Sequence, residues 1–135
     1  MAEVGFLRSN EGMVIIASIW TSLVVLSLLA CCVKLHSMLH QRLEHQRTSA
    51  LAGEISRLLF LVSATEGEVE TVLELNGVSN LNISGGNPVS ITVVTSEASA
   101  TRRILLPLPV VSCSLTNPSR LRILKSDLFV FVKND

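Results

Sequence analysis

The sequence predicts an α+β chain: a long N-terminal helix, transmembrane and then amphipathic, packed on a small antiparallel β-sheet or thin β-sandwich. Three observations carry this prediction. Met13–Val33 is an uncharged apolar run. The spacing of apolar residues stays helical after that run, up to about Ser63. From Val69 onward the period changes to two and turn signals recur.

The apolar run MVIIASIWTSLVVLSLLACCV holds no Asp, Glu, Lys or Arg. About 20 such residues, at roughly 1.5 Å each, cross the ~30 Å hydrocarbon core of a bilayer. Ser18, Thr21, Ser22 and Ser27 fit within it, because hydroxyls bond the helix's own carbonyls. The remaining chain is too short to wrap an all-round apolar helix as a soluble core. The predicted organisation is therefore a polar leader over 1–12, a transmembrane helix over 13–33, an amphipathic extension over 34–64 and a β domain over 65–135.

In the extension, Leu35, Leu39 and Leu43 fall at i, i+4, i+8. Leu51, Ile55, Leu58, Leu59 and Val62 continue the stripe and are the predicted helix–sheet packing residues. No Pro interrupts Met13–Ser63, and Gly53 is its only Gly, so one long helix of about 50 residues is expected, with a break around Gln46–Ser49 as the alternative. Thr65-Glu66-Gly67 reads as its stop.

Val69, Thr71, Leu73 and Leu75 then alternate with glutamates, giving a strand with one wet face. Asn76-Gly77 and Gly85-Gly86-Asn87-Pro88 mark turns around a short strand at Leu81 and Ile83. Val89–Thr95 is a further strand. Ile104–Val110 is read as an edge or irregular strand, because Pro107 and Pro109 cannot donate to a ladder. After a turn at Asn117-Pro118, Leu121–Leu124 and Leu128–Val132 form a closing hairpin around Lys125-Ser126-Asp127. Five or six short strands are too small a core alone, at about this size. The helical stripe is their natural cover.

Composition excludes several function classes. With 11 basic and 11 acidic residues the net charge is zero, and no basic patch marks a nucleic-acid partner. Aromatic residues are 4% of the chain and Tyr is absent, which removes stacking platforms. Cys31 and Cys32 lie in the span and Cys113 in the β region, so no disulfide framework is implied. His36, His40 and Glu44 share a helix face, with His45 beside them. Histidines four apart can chelate a metal, but no third ligand of recognised spacing follows, and the stretch reads as a solvated face. No phosphate loop, serine elbow or Cys/His pair appears. The expectation is a non-enzyme with no cofactor and no metal.

Two local motifs bear on processing. Leu28-Leu29-Ala30-Cys31 resembles a lipoprotein box, making Cys31 a candidate lipidation site, with or without cleavage. Asn82-Ile83-Ser84 fits an N-glycosylation acceptor at Asn82.

The whole arrangement resembles archaeal type IV pilin-like proteins. The resemblance is carried by Glu11-Gly12-Met13-Val14-Ile15-Ile16 at the leader junction and by Leu51-Ala52-Gly53-Glu54-Ile55-Ser56-Arg57-Leu58. The run Gly67–Leu75, the turn Ile83–Val89 and the late Leu-Pro run fit as well. It implies a leader cut after Gly12, with Met13 as the first mature residue, and subunits joined through their N-terminal helices. Glu11 stands where such leaders carry Lys or Arg, and no Glu lies near Ala17. The implied function is a structural or accessory subunit of a surface filament or secretion system. The alternative is a membrane-tethered binding or accessory module with an exterior β domain that never polymerises. Expected partners are the bilayer and copies of the chain or other pilin-like subunits. The expected location is the cell membrane, single-pass, with the β domain outside. Lys34, Arg42 and Arg47 after the span, against Arg8 before it, argue for the opposite orientation.

Overall fold

The computed structural model describes residues 10–135. The chain divides into two units, one ending at His40 and the other running from Gln41 to Asp135. A single helix, α1, covers Asn10–Ala64. Glu11 sits in its first turn, where a negative charge complements the exposed amides. Its last turn has no basic residue of its own. Lys125, from a distant strand, instead donates its Nζ to the Thr65 carbonyl just past the helix end. Gly67, at φ 83°, takes the left-handed conformation that turns the chain away.

Seven strands follow. They are β1 (Val69–Glu74), β2 (Val78–Ser84), β3 (Val89–Thr95), β4 (Ser99–Ile104), β5 (Cys113–Thr116), β6 (Arg120–Lys125) and β7 (Val130–Asn134). They form two antiparallel sheets, one ordered β1-β6-β7 and the other β4-β3-β2-β5. Alternation sends Leu81 and Ile83 of β2, Ile91 and Val93 of β3, and Leu121 and Ile123 of β6 into a common core. Ala52, Ile55, Leu59 and Val62 of α1 belong to that same core. The α+β architecture is as the sequence predicts, with the two-sheet form rather than a single sheet.

Ile55 and Leu59 are fully buried and Val62 nearly so, while Leu51 and Leu58 pack partly buried against the cluster. Burying each large aliphatic side chain contributes about 1.5–3 kcal/mol. Three polar residues are buried on the same helix, Thr48, Ser56 and Ser63. Each is satisfied locally: Thr48 donates to the Glu44 carbonyl at 2.7 Å, Ser56 to Gly53 at 2.7 Å and Ser63 to Phe60 at 2.9 Å.

The proline-rich segment differs from expectation. The regular strand in this region is Ser99–Ile104, and it ends where the predicted one began. Residues 105–109 make no strand, since Pro107 and Pro109 have no amide hydrogen to give. What remains is a parallel bridge of Val110 to Val130. Val130 donates to the Pro109 carbonyl and Val111 donates to the Val130 carbonyl, each at 3.0 Å. The segment thus covers the outer edge of β7, which is one way of blunting a free edge. The short strand Cys113–Thr116, pairing with β2, was also absent from the sequence reading.

Candidate functional site

Residues 13–33 form the most unusual surface. Their side chains stand exposed around the helix: Val14 at 67%, Trp20 at 65% and Leu26 at 63% are representative. None of the most apolar 18-residue stretch is buried within the protein. This is one helix long and apolar enough to cross a membrane, and it lies near the N-terminus. The run holds eleven Leu, Ile and Val residues. At about −0.3 to −0.6 kcal/mol each on an insertion scale, they favour a bilayer by roughly 3–7 kcal/mol.

Thr21 and Ser22, two of the four hydroxyl residues of this stretch, turn back on the helix as expected from the sequence. Ser22 donates to the Ser18 carbonyl at 2.9 Å, and Thr21 donates to Ala17. Ser18, Thr21, Ser22, Val25 and Leu26 line a shallow groove along one side. Gly12 and Met13 lie in the first turn of α1, and Cys31 and Cys32 are exposed on it. Most of the predicted leader, including Arg8, lies outside the described residues.

The unit from Gln41 onward carries two open clefts. One, of about 310 Å³, is lined by Arg47, Ala50, Leu51, Glu54, Glu74 and Asn76. Its Glu74 carboxylate lies 3.7 Å from Arg120. The other, of about 330 Å³, is walled by the Gly85-Gly86-Asn87 turn and by Leu106–Val110. It presents backbone, Asn87 and aliphatic groups and no ionisable side chain. Gly85 is required here, because a Cβ at this position would sit 2.0 Å from the Val110 carbonyl oxygen.

Asn82, the predicted glycan acceptor, lies on β2 with its side chain exposed. Cys113 is half-buried on β5; burial pushes its thiol pKa up, partly opposed by a backbone hydrogen bond from Ile83. The predicted packing residues Leu51, Ile55, Leu58, Leu59 and Val62 all gather on the core side of α1. Sequence reading missed the charged network on the outer face of the three-stranded sheet. There Arg122 Nη2 lies 2.7 Å from Asp135, and its Nε 3.2 Å from Glu70. The alternation of β1 and β6 signals such a face, but the register that pairs Glu70 with Leu124, diagonal to Arg122, is not legible locally.

No family model, curated protein or solved structure matches this chain.

Proposed function

We propose that this protein is a pilin-like subunit of an archaeal surface filament or secretion system, anchored by α1 with its β domain outside the cell. One observation carries the reading: a single helix offers an uncharged, exposed surface over 13–33 and a core-forming stripe over 52–62. Such a helix suits a subunit that is solvated by lipid before assembly. After assembly the same surface packs against other copies, where residues such as Ser18, Ser22 and Ala30 permit close approach. The resemblance at the leader junction implies a cut between Gly12 and Met13.

Intact mass and N-terminal sequencing of the native protein test this. A mature start at Met13, together with recovery in sheared surface fibres, is the expected result. An intact Met1 and absence from fibres refute it.

A second reading, a tethered accessory module with an exterior β domain that does not polymerise, is favoured by Glu11, which stands where a cut leader carries Lys or Arg. Lys34, Arg42 and Arg47 follow the span, and on the positive-inside rule they argue against the exterior placement that both readings share. Recovery in sheared surface fibres separates the two readings, and protease treatment of intact cells tests the exterior placement, since only an exterior domain is removed.

A further inference from the structure

The two sheets present chemically different faces to solvent. The three-stranded sheet carries Glu70, Glu74, Arg120, Arg122 and Lys133 outward, along with the exposed ring of Phe131. The four-stranded sheet does not follow this pattern. Its eleven outward positions on β2, β3, β4 and β5 include nine Ser, Thr or Asn, one Val and a single charge, Arg103.

Asn82 occupies the middle of this neutral face. On β2, Leu81 and Ile83 point inward and are fully buried, so Asn82 and Ser84 point outward together. Asn82 is paired with Thr92 on one side and Ser114 on the other. Thr92 in turn faces Thr101, their hydroxyls 3.1 Å apart. One rung therefore reads Thr101–Thr92–Asn82–Ser114 across all four strands. The Asn82 side-chain amide is exposed and held by no hydrogen bond among the described residues.

We propose that Asn82 carries an N-linked glycan, and that this neutral sheet face is the surface on which the glycan lies. The acceptor needs an asparagine followed two residues later by Ser or Thr. The pleat places Asn82 and Ser84 on one side, open to a transferase. The sugar arrives as a lipid-linked oligosaccharyl phosphate or diphosphate. Asn82 Nδ2 forms a bond to the anomeric carbon, the bond from that carbon to the phosphate oxygen breaks, and the lipid phosphate leaves. The amide gives up one proton to a base of the transferase. Hydroxyls of Thr92 and Ser114, on strands about 4.8 Å to either side, then meet the first sugar without a charge to desolvate.

This assignment rests on the exterior placement of the β domain proposed above. The test is peptide mass mapping of the full chain purified from its native membranes, run beside protease shaving of intact cells. Wild type and Ser84→Thr should carry a sugar mass on Asn82; Asn82→Gln and Ser84→Ala should lose it completely. Both positions are exposed, and retention of the wild-type melting temperature by these variants checks that the fold is intact. A domain shaved from outside with Asn82 unmodified overturns the glycan and leaves the placement standing. A protected domain with Asn82 unmodified overturns both. Sugar mass on the same peptide that persists in both Asn82→Gln and Ser84→Ala lies on another residue and overturns the proposal.

Discussion

Truncating Leu59 tests whether the helix is part of the β fold or only its tether. Leu59 is fully buried, in one cluster with Leu81, Ile83, Leu121 and Ile123. Leu59→Ala removes three carbons from this core. At about 0.8 kcal/mol per methylene, the transfer loss alone is roughly 2.4 kcal/mol. The cavity left behind adds to it, since neighbours on two sheets and a helix collapse only partly. The expected cost is about 3–4 kcal/mol, within the range seen for buried Leu→Ala. A unit of this size holds about 5–15 kcal/mol in total, so the melting midpoint should fall by more than about 12 °C. The control is Leu61→Ala, two residues away on the same helix and 49% exposed. It should cost less than about 0.5 kcal/mol. The assay is thermal unfolding of the full chain in detergent micelles, followed by the β component of far-ultraviolet circular dichroism. If Leu59→Ala costs under about 1 kcal/mol, or Leu61→Ala costs as much, the helix does not belong to this core.

Gly85→Ala should destabilise the β domain by about 2–4 kcal/mol, because its Cβ meets a backbone oxygen at 2.0 Å and strains the Gly85 N–H bond to Ser112 Oγ at 2.7 Å; denaturant titration reads this, and a neutral result refutes the close approach. Arg122→Ala should cost about 1–2 kcal/mol, against under about 0.5 kcal/mol for Arg120→Ala. The first loses a half-buried contact to Asp135 at 2.7 Å, the second an exposed pair at 3.7 Å. Equal costs in chemical denaturation would remove the distinction. Cys113 is held as the thiol by burial, with its pKa above the ordinary value. Its contribution to stability is therefore complete below the unfolded thiol pKa and is lost as pH rises through the folded one. Melting curves across that alkaline range should decline more steeply for wild type than for Cys113→Ala. A fragment starting at Gln41 should fold without detergent, since among the described residues the buried side chains of the core lie at Thr48 or beyond; aggregation, or loss of the wild-type β spectrum, refutes this.

The helix was legible almost to its ends, because its signals are local. An uncharged run, one apolar stripe, no Pro, and a Gly past the end sufficed to predict Met13–Ser63, against an observed Asn10–Ala64. The hairpin β6–β7 and strands β1 and β3 were legible for the same reason, since their alternation is written in Leu, Val and Ile. Strand β4 was not. Its sequence, SATRRI, has two arginines and little apolar content, and it exists because β3 offers a partner edge over Val89–Val94. Arg102 keeps to the inner side of that strand, with its guanidinium 3.4 Å from where a Gly53 Cβ would lie. Strand β5 is four residues long and owes its place to β2, again a non-local cause. Of the candidate sites, the apolar span and the acceptor tripeptide were visible as motifs. The neutral face around Asn82 was not, because it arises only when four strands from different parts of the chain fall into register.

The serines and threonines of α1 give the two halves of the helix a common logic. In water a hydroxyl finds its partner in solvent, so its position in a helix matters little. Thr21 and Ser22 lie in an apolar stretch suited to lipid, and Thr48, Ser56 and Ser63 lie against the protein core. In both settings an unpaired hydroxyl would cost on the order of 1–3 kcal/mol. In both settings the helix answers alike, by donating the hydroxyl to a carbonyl three or four residues back. Such bonding slightly weakens a helix and bends it, so it does not by itself favour these residues. Small size is the property they share: each lets a neighbouring surface approach more closely than Leu or Ile would. Around Thr48 that surface is visible, since Thr95 brings its hydroxyl to 3.5 Å. Ser18 and Ser22 are the corresponding small residues on the exposed apolar stretch, where Ser22 bonds back to the Ser18 carbonyl in the same way.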